Sequence, residues 1–84
     1  MKYVYVVVQE YQLDSGENEL EVIGVYDTIE KAKDVLEKLK EISLNWWKSN
    51  FGDNYTIEES NTSVCIFETD EYCYNHERII IFER

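Results

Sequence analysis

The stretch that decides the fold runs from Asp27 to Lys48 and reads DTIEKAKDVLEKLKEISLNWWK. Its apolar residues recur every three or four positions, so at about 100° per residue they lie on one side of a helix, with Lys and Glu on the other. The apolar stripe consists of Ile29, Ala32, Val35, Leu36, Leu39, Ile42, Trp46 and Trp47. This pattern predicts one long amphipathic helix that packs on the rest of the chain.

The sequence also marks both ends of this helix. Asp27 stands three residues before Glu30, the spacing of a capping box in which Asp27 is the N-cap. Gly52 follows Phe51 and is a typical helix stop.

The residues before the helix predict a β-hairpin. Strand-like sequence covers residues 2–13 and 19–26, and the turn-forming DSGEN at 14–18 separates the two parts. Gly24 in the second strand indicates a bulge or the close approach of a bulky neighbour. In the first strand Val4, Val6 and Val8 form a purely aliphatic face, which we expect to meet the helix.

The residues after the helix predict three more strands, over 55–60, 63–69 and 78–83. Residues 70–77 between the last two are expected to form a loop, or a hairpin tip with some strand character. The element order is therefore ββαβββ. Eighty-four residues allow one domain and one modest core, so we treat residues 1–84 as a single domain. The predicted fold class is α+β, with one long helix on one face of a four- or five-stranded antiparallel sheet.

A single helix leaves the second sheet face open. If the aliphatic face of the first strand meets the helix, the open face carries Tyr3, Tyr5 and Tyr11, with Cys65 and Phe67 if their parity agrees. Exposed aromatic patches often mark an interface, so this face is a candidate homodimer surface. Trp46 and Trp47 either overhang the sheet and join that surface or plug the end of the core.

Net charge is −10, from 18 acidic and 8 basic residues, and its distribution is uneven. Residues 27–48 are neutral, with five charges of each sign, whereas residues 1–26 and 49–84 carry −4 and −6. Direct nucleic-acid binding needs clustered Lys and Arg and is therefore disfavoured. A basic protein partner is favoured.

Catalytic and cofactor chemistry finds little support in the sequence. His76 is the only histidine, and Cys65, Cys73 and His76 lack the close cysteine pair and fourth ligand of a zinc site. We therefore expect no enzyme, no cofactor, no metal and free thiols. The N-terminal apolar run is too short for a signal peptide or membrane span, so we expect a cytoplasmic protein without membrane association.

Acidic residues interleaved with tyrosines suggest where a basic partner binds. Residues 70–77 combine three carboxylates with Tyr72 and Tyr74, a pairing that suits a groove rich in Arg and Lys. The alternative is a solvated loop whose tyrosines complete the core. The candidate partner-binding residues are Glu58, Glu59, Asp70, Glu71, Tyr72, Tyr74 and Glu77, with Glu17, Glu19 and Glu21 as a second patch.

Two features carry a resemblance to phage proteins. The segment GVYDTIEKAKDVLEKLKE, from Gly24 to Glu41, resembles the strand, turn and helix of small phage and prophage domains. The acidic, tyrosine-rich composition is similar to that of phage-encoded inhibitors of host defence, including anti-CRISPR and anti-restriction proteins, several of which mimic DNA. The resemblance is of overall character, and no functional residue is carried over from it.

The function expected from the sequence is that of a non-enzymatic, acidic, protein-binding inhibitor. It would occupy the basic nucleic-acid-binding site of a host defence enzyme, such as a nuclease complex, in the host cytoplasm. The alternative is a structural or regulatory homodimer domain that associates through its open sheet face.

Overall fold

Five antiparallel strands form one sheet, and a single helix covers one of its faces. The structure is a computed structural model and describes residues 2–12, 18–68 and 74–83. The elements are β1 (Tyr3–Gln12), β2 (Asn18–Tyr26), α1 (Ile29–Phe51), β3 (Tyr55–Glu59), β4 (Ser63–Glu68) and β5 (Tyr74–Glu83). The sheet order is β2-β1-β5-β4-β3, so the predicted ββαβββ fold is confirmed.

The helix begins one residue later than the sequence predicted. Thr28, not Asp27, is the N-cap, and its hydroxyl accepts a hydrogen bond from the backbone N–H of Lys31 at 3.3 Å. Asp27 instead forms an ion pair with the Lys31 ammonium at 2.9 Å. Both residues carry a capping oxygen, so the apolar spacing alone could not choose between them. Gly52, at φ 62°, ends the helix as predicted.

The buried stripe of α1 differs from the predicted one in its C-terminal half. Ala32, Leu36, Ser43 and Trp47 are the buried helix residues, whereas Ile42 and Trp46 are 66% and 51% exposed. Spacings of four, seven and four residues keep the buried set on one side of the helix. A serine therefore occupies a core position that the apolar pattern had assigned to its neighbours.

The side of β1 that meets the helix is opposite to the predicted one. Val7 is fully buried in one cluster with Ala32 and Leu36 of the helix, and Tyr5 packs against that cluster. By strand alternation Tyr3 and Tyr11 lie on the same side. The aliphatic Val4–Val6–Val8 face therefore points away from the helix. The prediction failed because both faces of β1 are apolar at the centre of the strand.

Both features that the sequence suggested at Gly24, a bulge and the close approach of a bulky neighbour, are present. Val7 pairs with Gly24 and Val8 with Val22, so Ile23 is an extra residue that forms a bulge. A β-carbon on Gly24 would lie 2.8 Å from Cζ of Tyr26, whose ring crosses the glycine. The bulge places Ile23 against the core.

The last strand is longer than predicted and begins at Tyr74. Residues 74–77, expected as part of a loop or of a hairpin tip with some strand character, pair with both β1 and β4, so the second alternative describes them. Residues 70–73 of the predicted loop lie outside the described residues. As a central strand, β5 carries Ile79 into the core and brings Glu77 to the same face.

The sheet face turned away from the helix, called the open face here, is divided into two parts. One part is aliphatic and consists of Val4, Val6, Val8, Leu20, Val22, Val25, Ile80 and Phe82. In the other part, the Glu10 carboxylate accepts hydrogen bonds from Arg78 at 2.8 Å and from the Tyr74 hydroxyl at 3.0 Å. The Arg78 hydrogen bond, followed by that of Tyr74, lowers the pKa of Glu10. Cys65 and Phe67 lie on this face by register.

Candidate functional site

A cleft of about 490 Å³ opens between the C-terminal half of α1 and the end of the sheet where β1 finishes and β5 begins. We call it the end cleft. The sheet contributes Gln9, Tyr11, Glu21 and Asn75 to its lining, and the helix contributes Ile42, Ser43, Trp46 and Trp47. Gln12 and Tyr74 complete it. Its size lies within the usual range of small-molecule and side-chain binding pockets.

Two tryptophans form the apolar wall of the end cleft. Trp47 is buried, stacks on Phe51 with ring centroids 4.6 Å apart, and donates its indole N–H to Asn75 at 3.1 Å. Trp46 packs edge-on against Trp47, with centroids 5.6 Å apart, and about half of its surface is exposed. The exposed indole therefore lies against a rigid aromatic neighbour.

A buried carboxylate lies directly behind the polar side of the end cleft. Glu77 is completely buried, and one of its oxygens, Oε1, accepts hydrogen bonds from Gln9 at 3.1 Å and from the Ser43 hydroxyl. Both donors also line the cleft. Three elements, β1, α1 and β5, therefore meet at this carboxylate, and it fixes the orientation of two cleft side chains.

The second oxygen of Glu77, Oε2, is buried and has no hydrogen-bond partner among the described residues. Burial raises the pKa of Glu77, and the hydrogen bonds from Ser43 and Gln9 oppose this only in part. An unsatisfied buried carboxylate oxygen is costly, so Glu77 departs from the rule that buried polar groups are fully paired.

The rim of the end cleft is acidic. Glu21 lines the cleft and is exposed, and Glu19 lies two residues before it on the same side of β2. The Tyr11 hydroxyl donates a hydrogen bond to Glu19 at 2.9 Å, and this bond raises the pKa of Tyr11. Among the described lining residues there is no Lys or Arg. The cleft is thus suited to a positively charged group.

The predicted acidic residues do not gather on one surface within the described part of the chain. Glu19 and Glu21 lie on edge strand β2, whereas Glu58 and Glu59 lie on the opposite edge strand, β3. Four strand spacings, roughly 19 Å, separate the two edges. Glu59 forms an ion pair with Lys40 of the helix at 2.7 Å, and Glu58 points to the open face. The expectation of one continuous acidic surface is therefore wrong for these residues.

The predicted binding loop is also divided. Glu77 is buried in β5, so it cannot touch a partner as an exposed carboxylate. Tyr74 uses its hydroxyl for Glu10 on the open face. Glu17, Asp70, Glu71 and Tyr72 lie outside the described residues.

The residues predicted to form the dimer surface also lie in different parts of the molecule. Tyr3, Tyr5 and Tyr11 lie on the helix side of the sheet and not on the open face. Trp47 is buried, so it closes the end of the core and does not join an interface. Trp46 is exposed, but at the end cleft. The exposed apolar surface of the open face is its aliphatic part, because the parity of β1 is inverted.

The sequence did not point to the three polar side chains whose hydrogen bonds organise the cleft: Ser43, Gln9 and Asn75. Ser43 carried a usable signal, since it is a small polar residue four positions before Trp47 on the helix. Gln9 and Asn75 gave none, because their partners are distant in sequence. The Gln9–Glu77 hydrogen bond spans 68 positions and the Trp47–Asn75 bond spans 28.

Residues 2–12, 18–68 and 74–83 form neither a metal-binding site nor a reactive cysteine site. These residues contain no group of three or more His, Cys, Asp or Glu side chains placed to bind a metal ion. Cys65 is a free thiol, and burial, followed by the nearby Glu58 charge, raises its pKa, which disfavours a reactive thiolate. Cys73 lies outside the described residues.

Within the described part of the chain, the helix is not apolar enough to cross a membrane.

Comparison with known proteins identifies the family of this chain. No curated protein and no solved structure matches the sequence. The family model of a domain of unknown function, DUF7336, matches residues 2–78. The chain, with its single helix and its five-stranded sheet, belongs to the DUF7336 family.

Proposed function

We propose that this chain is a non-enzymatic binding protein that docks on a basic site of another protein. The observation that carries the proposal is the end cleft, which combines an exposed tryptophan, the Glu21 carboxylate and no described Lys or Arg. A net charge of −10 would steer a basic partner towards the molecule and make association sensitive to salt.

The partner we propose is a nucleic-acid-processing enzyme of a host defence system. The protein would then be a phage-type inhibitor that acts in the host cytoplasm and occupies a groove that normally binds phosphates. The acidic composition and the resemblance to anti-CRISPR and anti-restriction proteins support this form. Glu19 and Glu21 at the cleft rim replace the continuous acidic surface as the contact we propose.

Affinity capture from bacterial lysate tests the proposal. We would compare the wild type, the variant Glu19→Lys/Glu21→Lys and the control variant Asp34→Lys/Glu41→Lys, which changes the net charge equally on the exposed back of the helix. The wild type and the control should retain the same basic protein at low salt, and the cleft-rim variant should lose it. Equal capture by the wild type and both variants would contradict the proposal.

A second candidate function is that of a homodimer domain, and the aliphatic part of the open face favours it. Leu20, Val22, Val25 and Phe82 are each at least half exposed there. Clustered exposed apolar side chains on a small protein mark an interaction surface. A second copy of the chain would cover this surface by apolar burial, so the dimer should be insensitive to salt.

Analytical ultracentrifugation tests this second candidate. The wild type should sediment as a dimer at both low and high salt, and Val22→Glu should sediment as a monomer. Thr56→Glu, on the open face of edge strand β3 and outside the aliphatic part, is the matched control and should remain dimeric. A wild-type monomer at every concentration would exclude the homodimer.

A further inference from the structure

The end cleft contains all of the groups that an arginine side chain needs. It offers a carboxylate, Glu21, for the charge and a half-exposed indole, Trp46, for the flat face of a guanidinium. None of the described lining residues is a Lys or Arg that would compete for Glu21.

The aromatic wall is arranged to receive a planar cation. Trp46 is restrained by Trp47 at 5.6 Å and by Phe51 at 5.8 Å, so its ring orientation is set before any ligand arrives. A preset ring costs little conformational entropy on binding.

The polar side of the cleft supplies an acceptor of fixed direction. The Gln9 amide group donates its N–H to Glu77 at 3.1 Å, so its carbonyl oxygen is the end of the amide that can accept from a ligand. The buried Glu77 carboxylate behind Gln9 and Ser43 adds to the negative potential whenever it is ionised.

We propose that the end cleft binds one arginine side chain of the partner, whose guanidinium stacks on Trp46 and donates hydrogen bonds to Glu21. This inference depends on the proposed function and gives the basic partner a defined anchoring residue. Arginine fits better than lysine, because a guanidinium is planar and can bind a carboxylate through two parallel N–H groups. A volume of about 490 Å³ also leaves room for backbone on either side of that arginine.

A peptide titration followed by NMR tests the inference. The probe is the blocked peptide Gly-Gly-Arg-Gly-Gly, and the matched control replaces its arginine with citrulline, which has nearly the same shape but no charge. The chain has two tryptophans, so its two indole N–H signals can be assigned separately. The arginine peptide should shift the Trp46 indole and the backbone signals of Gln9 and Glu21, and citrulline should bind at least about tenfold more weakly.

Variants of the protein complete the test. Glu21→Gln should weaken the arginine peptide about tenfold, and Trp46→Ala should weaken it roughly threefold. Glu58→Gln, on the opposite edge of the sheet, should leave the affinity unchanged. Equal affinity for arginine and citrulline, or shifts confined to the back of the helix, would overturn the inference.

The two proposals fail in different ways. If the arginine peptide does not bind but Glu19→Lys/Glu21→Lys still abolishes capture of the basic partner, the partner is recognised by surface charge and the arginine inference is wrong. If the peptide binds in the cleft but partner capture is the same for all variants, the cleft assignment stands and the proposed function is wrong.

Discussion

Ser43 of the helix and Glu77 of the last strand form a hydrogen bond inside the protein, where the hydroxyl donates to a completely buried carboxylate. The two residues are 34 positions apart in sequence. Through Ser43 and Gln9, this carboxylate connects the core to the polar side of the end cleft. The stability of the fold and the shape of the candidate site therefore depend on the same group.

Glu77 should make stability fall as pH rises. Burial raises its pKa above the ordinary value of 4.5, so between 4.5 and the raised folded value the native state retains a proton that the unfolded chain has released. The associated stabilisation is complete below 4.5 and is lost as pH passes the folded pKa. In urea denaturation from about pH 4 to about pH 8, Glu77→Gln should therefore gain stability relative to the wild type as pH rises.

Glu10→Gln is the control for this titration. The hydrogen bond from Arg78 lowers the pKa of Glu10, so its contribution is present above the ordinary value of 4.5 and is lost as pH falls through the folded pKa. Its removal should change the profile only below the ordinary value of 4.5 and leave it parallel to that of the wild type at higher pH. A Glu77→Gln profile parallel to that of the wild type would show that Glu77 does not titrate abnormally.

Ser43→Ala should destabilise the protein by about 1–3 kcal/mol, because it removes a hydrogen bond to a buried carboxylate. The loss should be smaller in a Glu77→Gln background, where no charge depends on that hydrogen bond. A double-mutant cycle measured by urea denaturation gives the coupling energy, which we expect to exceed about 0.5 kcal/mol. Additive effects of the two substitutions would contradict the proposed pairing.

The two adjacent tryptophans should respond differently to the same substitution. Trp47→Phe removes both core volume and the hydrogen bond to Asn75, and should cost roughly 1–3 kcal/mol of unfolding free energy. Trp46→Phe changes a half-exposed ring and should cost less than about 0.5 kcal/mol. Chemical denaturation of the two variants checks this. Equal losses would mean that Trp47 is not the buried member of the pair.

Gly24→Ala should destabilise the β1–β2 hairpin. The added β-carbon would lie 2.8 Å from the Tyr26 ring, which must then move out of its position over the glycine. A cost of about 1–3 kcal/mol is typical of such overpacking. Combining it with Tyr26→Ala tests the cause, since the double variant should be more stable than the sum of the two losses predicts.

The local elements of this fold were predictable because their signals are local. The helix, its stop at Gly52 and the bulge at Gly24 each depend on neighbouring residues. The side of β1 that meets the helix was not predictable. Val7 and Val8 are both buried, so apolar character alone does not distinguish the two faces of this strand.

The candidate site was harder to predict than the fold because distant residues build it. Glu77 carries a charge and follows an acidic, tyrosine-bearing segment, so the sequence suggested a solvent-exposed binding residue. Its burial depends on Gln9 and Ser43, which only the sheet register and the helix position bring together. Glu21 was a predicted binding residue, and the structure places it at the cleft.

The central position of β5 has a consequence for how the chain folds during synthesis. The sheet order places β5 between β1 and β4, so the hairpins β1–β2 and β3–β4 are joined in the sheet only through the strand that is synthesised after the other four. Such non-local pairing slows folding. A nascent chain without β5 should remain open to proteases, whereas a circular permutant that joins the paired ends near Tyr3 and Glu83 should acquire the central pairing early.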